Sequence, residues 1–157
     1  MKFKLNVNGK DYVIDAPSNQ RLSLVIRDII GRKSVKHNCG CGSCGFCLIL
    51  LDNEPVYSCI YPVFKAQGSK IITLEAITQK SEYSNIIKGF ELANMDLCPN
   101  CAPARILLTY HFLENNRELN DEMIENIIES VTCDCTDNKT LREAIYLAAS
   151  FYDGGNF

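Results

Sequence analysis

Eight of the nine cysteines in this 157-residue chain fall into two groups of four. Cys39, Cys44, Cys47 and Cys59 are spaced C-x4-C-x2-C-x11-C, and Cys98, Cys101, Cys133 and Cys135 are spaced C-x2-C-x31-C-x-C. Thiolate sulfur is a soft ligand, and four converging thiolates hold either a tetrahedral zinc ion or an iron-sulfur cluster. The first spacing is the plant-type pattern for a 2Fe-2S centre, in which a tight loop supplies three thiolates and a neighbouring turn supplies the fourth. Gly40, Gly42 and Gly45 lie inside that loop. They allow positive φ angles and bring backbone amides close to the sulfurs. Such amides stabilise the extra charge of a reduced cluster and raise its potential.

The second group is expected at helix termini. Cys98 and Cys101 fall at the start of one helical segment, while Cys133 and Cys135 lie between two others. Free amides and the positive end of a helix dipole suit an anionic thiolate site. A site buried between helical hairpins is the expectation from that placement. Taken alone, C-x2-C with a later C-x-C fits zinc as readily as iron, and the plant-type loop beside it favours iron. A disulfide framework fits poorly with an odd cysteine count and no secretory leader. The ninth cysteine, Cys41, is off the ligand register and reads as a small loop residue, the alternative being a substitute ligand or redox-sensitive thiol. His37 could donate to a sulfur or replace a ligand, and His111 reads as an ordinary helix residue.

The elements that must carry these residues change character along the chain. Phe3, Leu5 and Val7 alternate with polar residues, Asn8-Gly9 forms a turn, and Tyr12 to Ile14 return, so the chain opens as a hairpin. Leu22, Val25, Ile26, Ile29 and Ile30 recur at helical spacing before Gly31. After the cysteine loop, residues 48–51 and 55–58 read as a second hairpin around Asp52-Asn53, and Ile71 to Leu74 as a last strand. That order is the order of a ferredoxin-like β-grasp domain over residues 1–78. Residues 79–157 are helical in period, with four apolar stripes: Tyr83 to Phe90, Ile106 to Leu113, Met123 to Val131 and Leu141 to Ala148. Asn120 is placed to cap the third helix, and Thr140 with Glu143 has the capping-box pattern at the fourth. The expected fold class is α+β, a plant-type ferredoxin β-grasp domain followed by a four-helix bundle that binds a second 2Fe-2S cluster.

Charge divides the same way. Residues 1–78 carry ten Lys or Arg against six Asp or Glu, whereas residues 79–157 carry six against thirteen. The overall charge of −3, with no concentrated basic surface, argues against nucleic acid. No stretch approaches the roughly 18 to 20 apolar residues of a membrane span. Clustered cysteines without a secretory signal point to a reducing cytoplasm. The acidic run from Glu114 to Glu129 reads as a solvated helix face or, alternatively, a docking face. No phosphate-binding glycine loop and no nucleophile-base set is evident, so no catalytic residue is expected and substrate chemistry should lie on another subunit.

The segments VNGK, LVIRD, VKHNCGCGSCGFC, the Ser58-Cys59 pair and both later cysteine pairs together resemble the small iron-sulfur subunit of the molybdenum hydroxylases, the xanthine dehydrogenase family. The resemblance spans nearly the whole chain. It implies an electron-transfer subunit with two 2Fe-2S clusters, Cys39, Cys44, Cys47 and Cys59 holding the first and Cys98, Cys101, Cys133 and Cys135 the second. It further implies a large partner subunit with a molybdenum-pterin centre that oxidises substrate. Electrons would pass through the helical-domain cluster, then the ferredoxin-domain cluster, commonly to an FAD subunit.

The resemblance has departures around the second group. The family usually reads Q-C-G-x-C-T-P-G where this chain reads LCPNCAPA, and C-R-C-T-G-Y where it reads CDCTDN. Leu97 cannot make the hydrogen bond of the family's Gln. An altered or absent pterin site in the partner is therefore an alternative, as is a zinc-stabilised interaction module without redox function. Pro99 lacks an amide hydrogen, and Asp134 places negative charge between two ligands, so a lowered potential is expected at this site.

Overall fold

The computed structural model describes residues 1–116 and 118–152; Arg117 and the last five residues of the expected helical domain lie outside the described residues. Strands β1 (Lys2–Val7), β2 (Lys10–Asp15), β3 (Leu48–Leu51), β4 (Glu54–Tyr57) and β5 (Lys70–Ile72) form one sheet in the order β2-β1-β5-β3-β4. All neighbours are antiparallel except β1 with β5. Both hairpins turn on two residues of positive φ, Asn8-Gly9 and Asp52-Asn53, which matches the right-handed twist of the flanking strands. The last strand ends earlier than expected, because Leu74 opens a short 3-10 turn.

The first helical segment departs further from its sequence pattern. Helix α1 (Leu22–Leu24) runs directly into a π-helical turn, Val25–Ile29, closed by the Ile30 N–H on the Val25 carbonyl at 3.0 Å. The wider turn rotates its last residues away from the core face. Val25 and Ile26 are fully buried, while Ile29, expected on the same stripe, is 56% exposed.

Helices α2 (Ser81–Leu92), α3 (Ala102–Asn115), α4 (Asp121–Glu129) and α5 (Asn138–Tyr152) come next, one for each predicted stripe. Gly89 allows α2 and α5 to touch, since a Cβ there would lie 2.3 Å from the backbone nitrogen of Ala148. Asn120 caps α4 as expected, accepting from the Met123 N–H at 2.8 Å. The cap of α5 is different: Asp137 accepts from the Thr140 N–H at 2.9 Å and from its hydroxyl at 2.7 Å. Thr140 thus sits inside the helix. Asp offers two acceptor oxygens three residues ahead, and the helix starts where those acceptors are.

Strand β3 explains how sheet and helices are joined. Its sequence LILL is buried at every position. Ile49 and Leu51 point into the core beneath α1, with Phe3, Leu5, Leu22 and Ile71. Leu48 and Leu50 point the other way, into the core formed by Ile86, Leu107, Ile127 and Ile145 of the four helices. A continuous apolar run is what a strand covered on both faces requires.

Candidate metal centres

The first cysteine group sits on the loop that leads into β3 and on the turn after β4, so one hairpin brings Cys47 and Cys59 together. Gly40, Gly42 and Gly45 all have positive φ, as expected. The loop wraps its own sulfurs in amides. Cys39 Sγ accepts from the N–H groups of Ser43 and Cys44 at 3.3 and 3.4 Å, Cys59 Sγ from Gly42 at 3.3 Å, and Cys47 Sγ from Cys59 at 3.4 Å. Cys39 lies beside Cys44, and Cys47 beside Cys59. Two thiol pairs separated by amide donors suit a group with two metal ions, each taking one pair.

Electrostatics differ sharply along this loop. The N–H groups of Cys41, Cys44 and Ser43 hold the exposed Cys39 thiol down to about 5. Burial pushes Cys47 up to about 12. Cys41 is exposed, and its pKa is raised by a hydrogen bond to Cys39 and by the charge there. His37 meets Ser23 Oγ through Nδ1 at 3.1 Å. His111 is packed edge-on against Phe112, and burial lowers its pKa.

The second group is built at the helix ends. Cys101 is the residue before α3, and Cys133 and Cys135 lie between α4 and α5. Among the described residues, only this group brings its sulfurs within 4.8 Å of one another. Cys98 Sγ lies 3.5 Å from Cys101 Sγ and 3.6 Å from Cys133 Sγ, and Cys101 Sγ lies 3.3 Å from Cys135 Sγ. Burial opposes ionisation of Cys98, but the N–H groups of Cys101 and Asn100 bring its pKa down to about 7. Burial raises Cys101 and Cys133. The group is less enclosed than its spacing suggested: Cys101 is buried, Cys98 and Cys133 are half-buried, and Cys135 is exposed. The C-x-C segment is a surface turn, so Cys135 stays exposed even though its sulfur faces Cys101.

The segments that carry the two groups touch. The Thr132 N–H donates to the Cys44 carbonyl at 2.9 Å, and Tyr57 Oη donates to the Ser130 carbonyl at 2.8 Å. Gly45 is indispensable at this seam, because its φ is +80° and a Cβ would lie 2.1 Å from the Ser130 carbonyl oxygen.

Three supporting residues are not evident from spacing. Arg21 donates from Nη1 to the Gly40 carbonyl at 2.7 Å and so fastens the first loop. Tyr57 ties the sheet to the end of α4. Arg105, one helical turn after Cys101, lies buried beside the second group; the signal in the sequence is a lone cation in the apolar run ARILLTY. Leu97 packs against the helical core. Much of the acidic run is engaged internally, Glu114 by Tyr152, Asp121 by Tyr146 and Glu125 by Arg142.

Residues 5–69 match the model of the 2Fe-2S iron-sulfur cluster binding domain. The chain is 32% identical over 146 residues to the nicotinate dehydrogenase small FeS subunit of Eubacterium barkeri, covering 93% of each protein. It is 30% identical over 136 residues to the xanthine dehydrogenase iron-sulfur-binding subunit of Escherichia coli, covering 85% of each. Its fold matches a chain of quinoline 2-oxidoreductase from Pseudomonas putida with a TM-score of 0.85 at 24% identity, over 100% of this chain and 98% of that one. It also matches 17% of the longer aldehyde oxidoreductase chain of Desulfovibrio desulfuricans, with a TM-score of 0.82 at 28% identity over 95% of this chain. With four thiols and their amide donors arranged around the match to a 2Fe-2S domain, the chain belongs to the family of small iron-sulfur subunits of the molybdenum hydroxylases, that of nicotinate and xanthine dehydrogenases.

Proposed function

We propose that this chain is the electron-transfer subunit of a molybdenum-hydroxylase-type oxidoreductase and carries two 2Fe-2S clusters. Cys39, Cys44, Cys47 and Cys59 hold the first, and Cys98, Cys101, Cys133 and Cys135 hold the second. When bound, each cluster supplies a reversible one-electron site. The observation that carries the reading is the contact, from Thr132 to Cys44, of the segments that hold the two cysteine groups. Residues 1–78 and 79–157 act as two cluster-binding domains, the second a four-helix bundle.

Cys39 and Cys135 are the exposed members of their groups. They mark the edges nearest to partner centres, Cys135 towards a large molybdenum-pterin subunit and Cys39 towards an FAD subunit or other acceptor. The chain itself orients and insulates, and substrate is oxidised on the partner, in the cytoplasm. Among the described residues no helix is long and apolar enough to cross a membrane. Leu97, turned into the helical core, supports a partner whose pterin contact differs from the family norm. Purification of the complex with metal analysis tests the reading: about four irons and four acid-labile sulfides per chain are expected, with molybdenum in the partner. Absence of labile sulfide would reject it.

One observation favours a second reading of the helical site. Metal-sulfur bonds of about 2.3 Å place the sulfurs of a tetrahedral zinc site about 3.8 Å apart. The second group, with sulfurs at 3.3 to 3.6 Å along three edges, has that size. A zinc ion there would leave a one-cluster protein. Two irons and one zinc per chain would establish it.

A further inference from the structure

Arg105 is 2% exposed, on the first turn of α3, four residues after Cys101. Its Nη2 donates to the Val131 carbonyl at 3.0 Å and to the Cys133 carbonyl at 3.5 Å, and its Nη1 to the Ile128 carbonyl at 3.5 Å. Its Nε has no partner among the described residues. None of the ion pairs among the described residues includes it. The carbonyls at the end of α4 offer partial negative charge, about half an elementary charge for a whole helix terminus. That leaves a buried guanidinium only partly compensated, an arrangement costing several kcal/mol without a facing anion. The guanidinium stands beside the second cysteine group, one helical turn after Cys101 at the start of α3 and within 3.5 Å of the Cys133 carbonyl.

We infer that Arg105 is the built-in counter-charge of the helical-domain cluster and raises its reduction potential relative to an uncharged residue at the same place. The inference rests on the reading of that site as a second 2Fe-2S centre. Four thiolates around two ferric ions and two sulfides carry about −2, and taking up one electron from the partner's centre makes this about −3, with no bond formed or broken. A fixed cation in a dry position stabilises the reduced form more than the oxidised one. It also reverses the sign expected from Asp134. Asp134 is exposed, so water and salt screen it, whereas Arg105 is shielded from both. The site therefore has its stronger charge on the side that favours reduction.

The test is an EPR-monitored redox titration of the purified complex carrying wild-type chain, Arg105→Met, Arg105→Gln or Arg105→Lys. Met keeps volume without charge, Gln keeps hydrogen-bonding capacity towards the Val131 carbonyl, and Lys keeps the charge. In Met and Gln variants one of the two cluster signals should be at least tenfold less reduced at its wild-type midpoint. For a one-electron couple that ratio is a downward shift of about 59 mV. The other signal should stay in place, and Lys should restore most of the shift. If Met fails to load, Gln against Lys carries the same comparison. Two signals with unchanged midpoints in Gln would overturn the inference and leave the two-cluster reading standing. An equal shift in Lys and Gln would overturn it too, by showing that hydrogen-bond geometry rather than charge is responsible. A single iron signal with bound zinc would remove the two-cluster reading, and the inference with it.

Discussion

The backbone N–H of Thr132 donates to the carbonyl of Cys44 at 2.9 Å, so one hydrogen bond joins the residue before Cys133 to a cysteine of the other group. The separation in sequence is 88 positions, and neither residue belongs to a helix or strand. Tyr57 and Gly45 hold the same seam, one by a hydrogen bond to the Ser130 carbonyl and the other by having no side chain.

Gly45→Ala should open this seam. A positive φ alone costs an alanine about 1 to 2 kcal/mol. At Gly45 the clash with the Ser130 carbonyl adds to that, whereas Gly31 has φ +85° and open space around it. Thermal unfolding of the two alanine variants should show Gly45→Ala as the more damaged, with loss of visible absorbance. Equal melting temperatures would mean that the loops are not pressed together.

Tyr57→Phe removes the donor to Ser130 and keeps the ring. A loss of about 1 kcal/mol in denaturant unfolding is expected. Cluster content should be unchanged.

Glu75 links stability to pH. Burial alone would raise its pKa, but the Ser34 hydroxyl and N–H and the Thr73 hydroxyl, at 2.5, 3.0 and 2.5 Å, bring it below the usual carboxylate value. Its folded pKa is therefore lower than the unfolded one of about 4.3. The stabilisation is present above the unfolded value and is lost as pH falls through the folded one. Glu75→Gln should lower the denaturation midpoint at pH 7, and the gap should close in acid. A gap independent of pH would rule out this linkage.

Cys101→Ser and Cys47→Ser should each remove about half of the iron, and different EPR signals. Both thiols are buried, so no outside ligand can replace them readily. Loss of both signals in either variant would show that the groups load as one unit.

Asp134→Asn should raise the potential of the helical-domain cluster, by much less than Arg105→Gln lowers it. At equal separation a unit charge interacts about four times more strongly at an effective dielectric constant of 20 than through water. A shift from Asp134→Asn as large as that from Arg105→Gln would contradict the screening of this exposed residue.

Much of the molecule was legible from local spacing. Asn8-Gly9 and Asp52-Asn53 announced their hairpins because two-residue turns need positive φ, and each apolar stripe after residue 79 became a helix. The expected helix over Leu22 to Ile30 was only partly right, since hydrophobic period does not distinguish an α turn from the wider π turn that turns Ile29 outward. Thr140 looked like a cap, but Asp137 was nearer to the free amides and carried two acceptors. Even the changed motif CDCTDN has a local use in that cap.

Ligand types and their order are properties of the chain, because covalent spacing alone limits which thiols a loop or a helix end can bring together. The match of residues 5–69 to a 2Fe-2S domain belongs to that level. Distances across the chain are decided only by packing. Leu48 and Leu50 on one face of β3 draw the helices onto the sheet, and that contact sets Thr132 against Cys44. The same packing buries Arg105 beside Cys101 and leaves Asp134 in water, which reverses the balance of charge that sequence suggested. Charge is written in the sequence, but its strength depends on the surrounding dielectric, and only the folded core determines that.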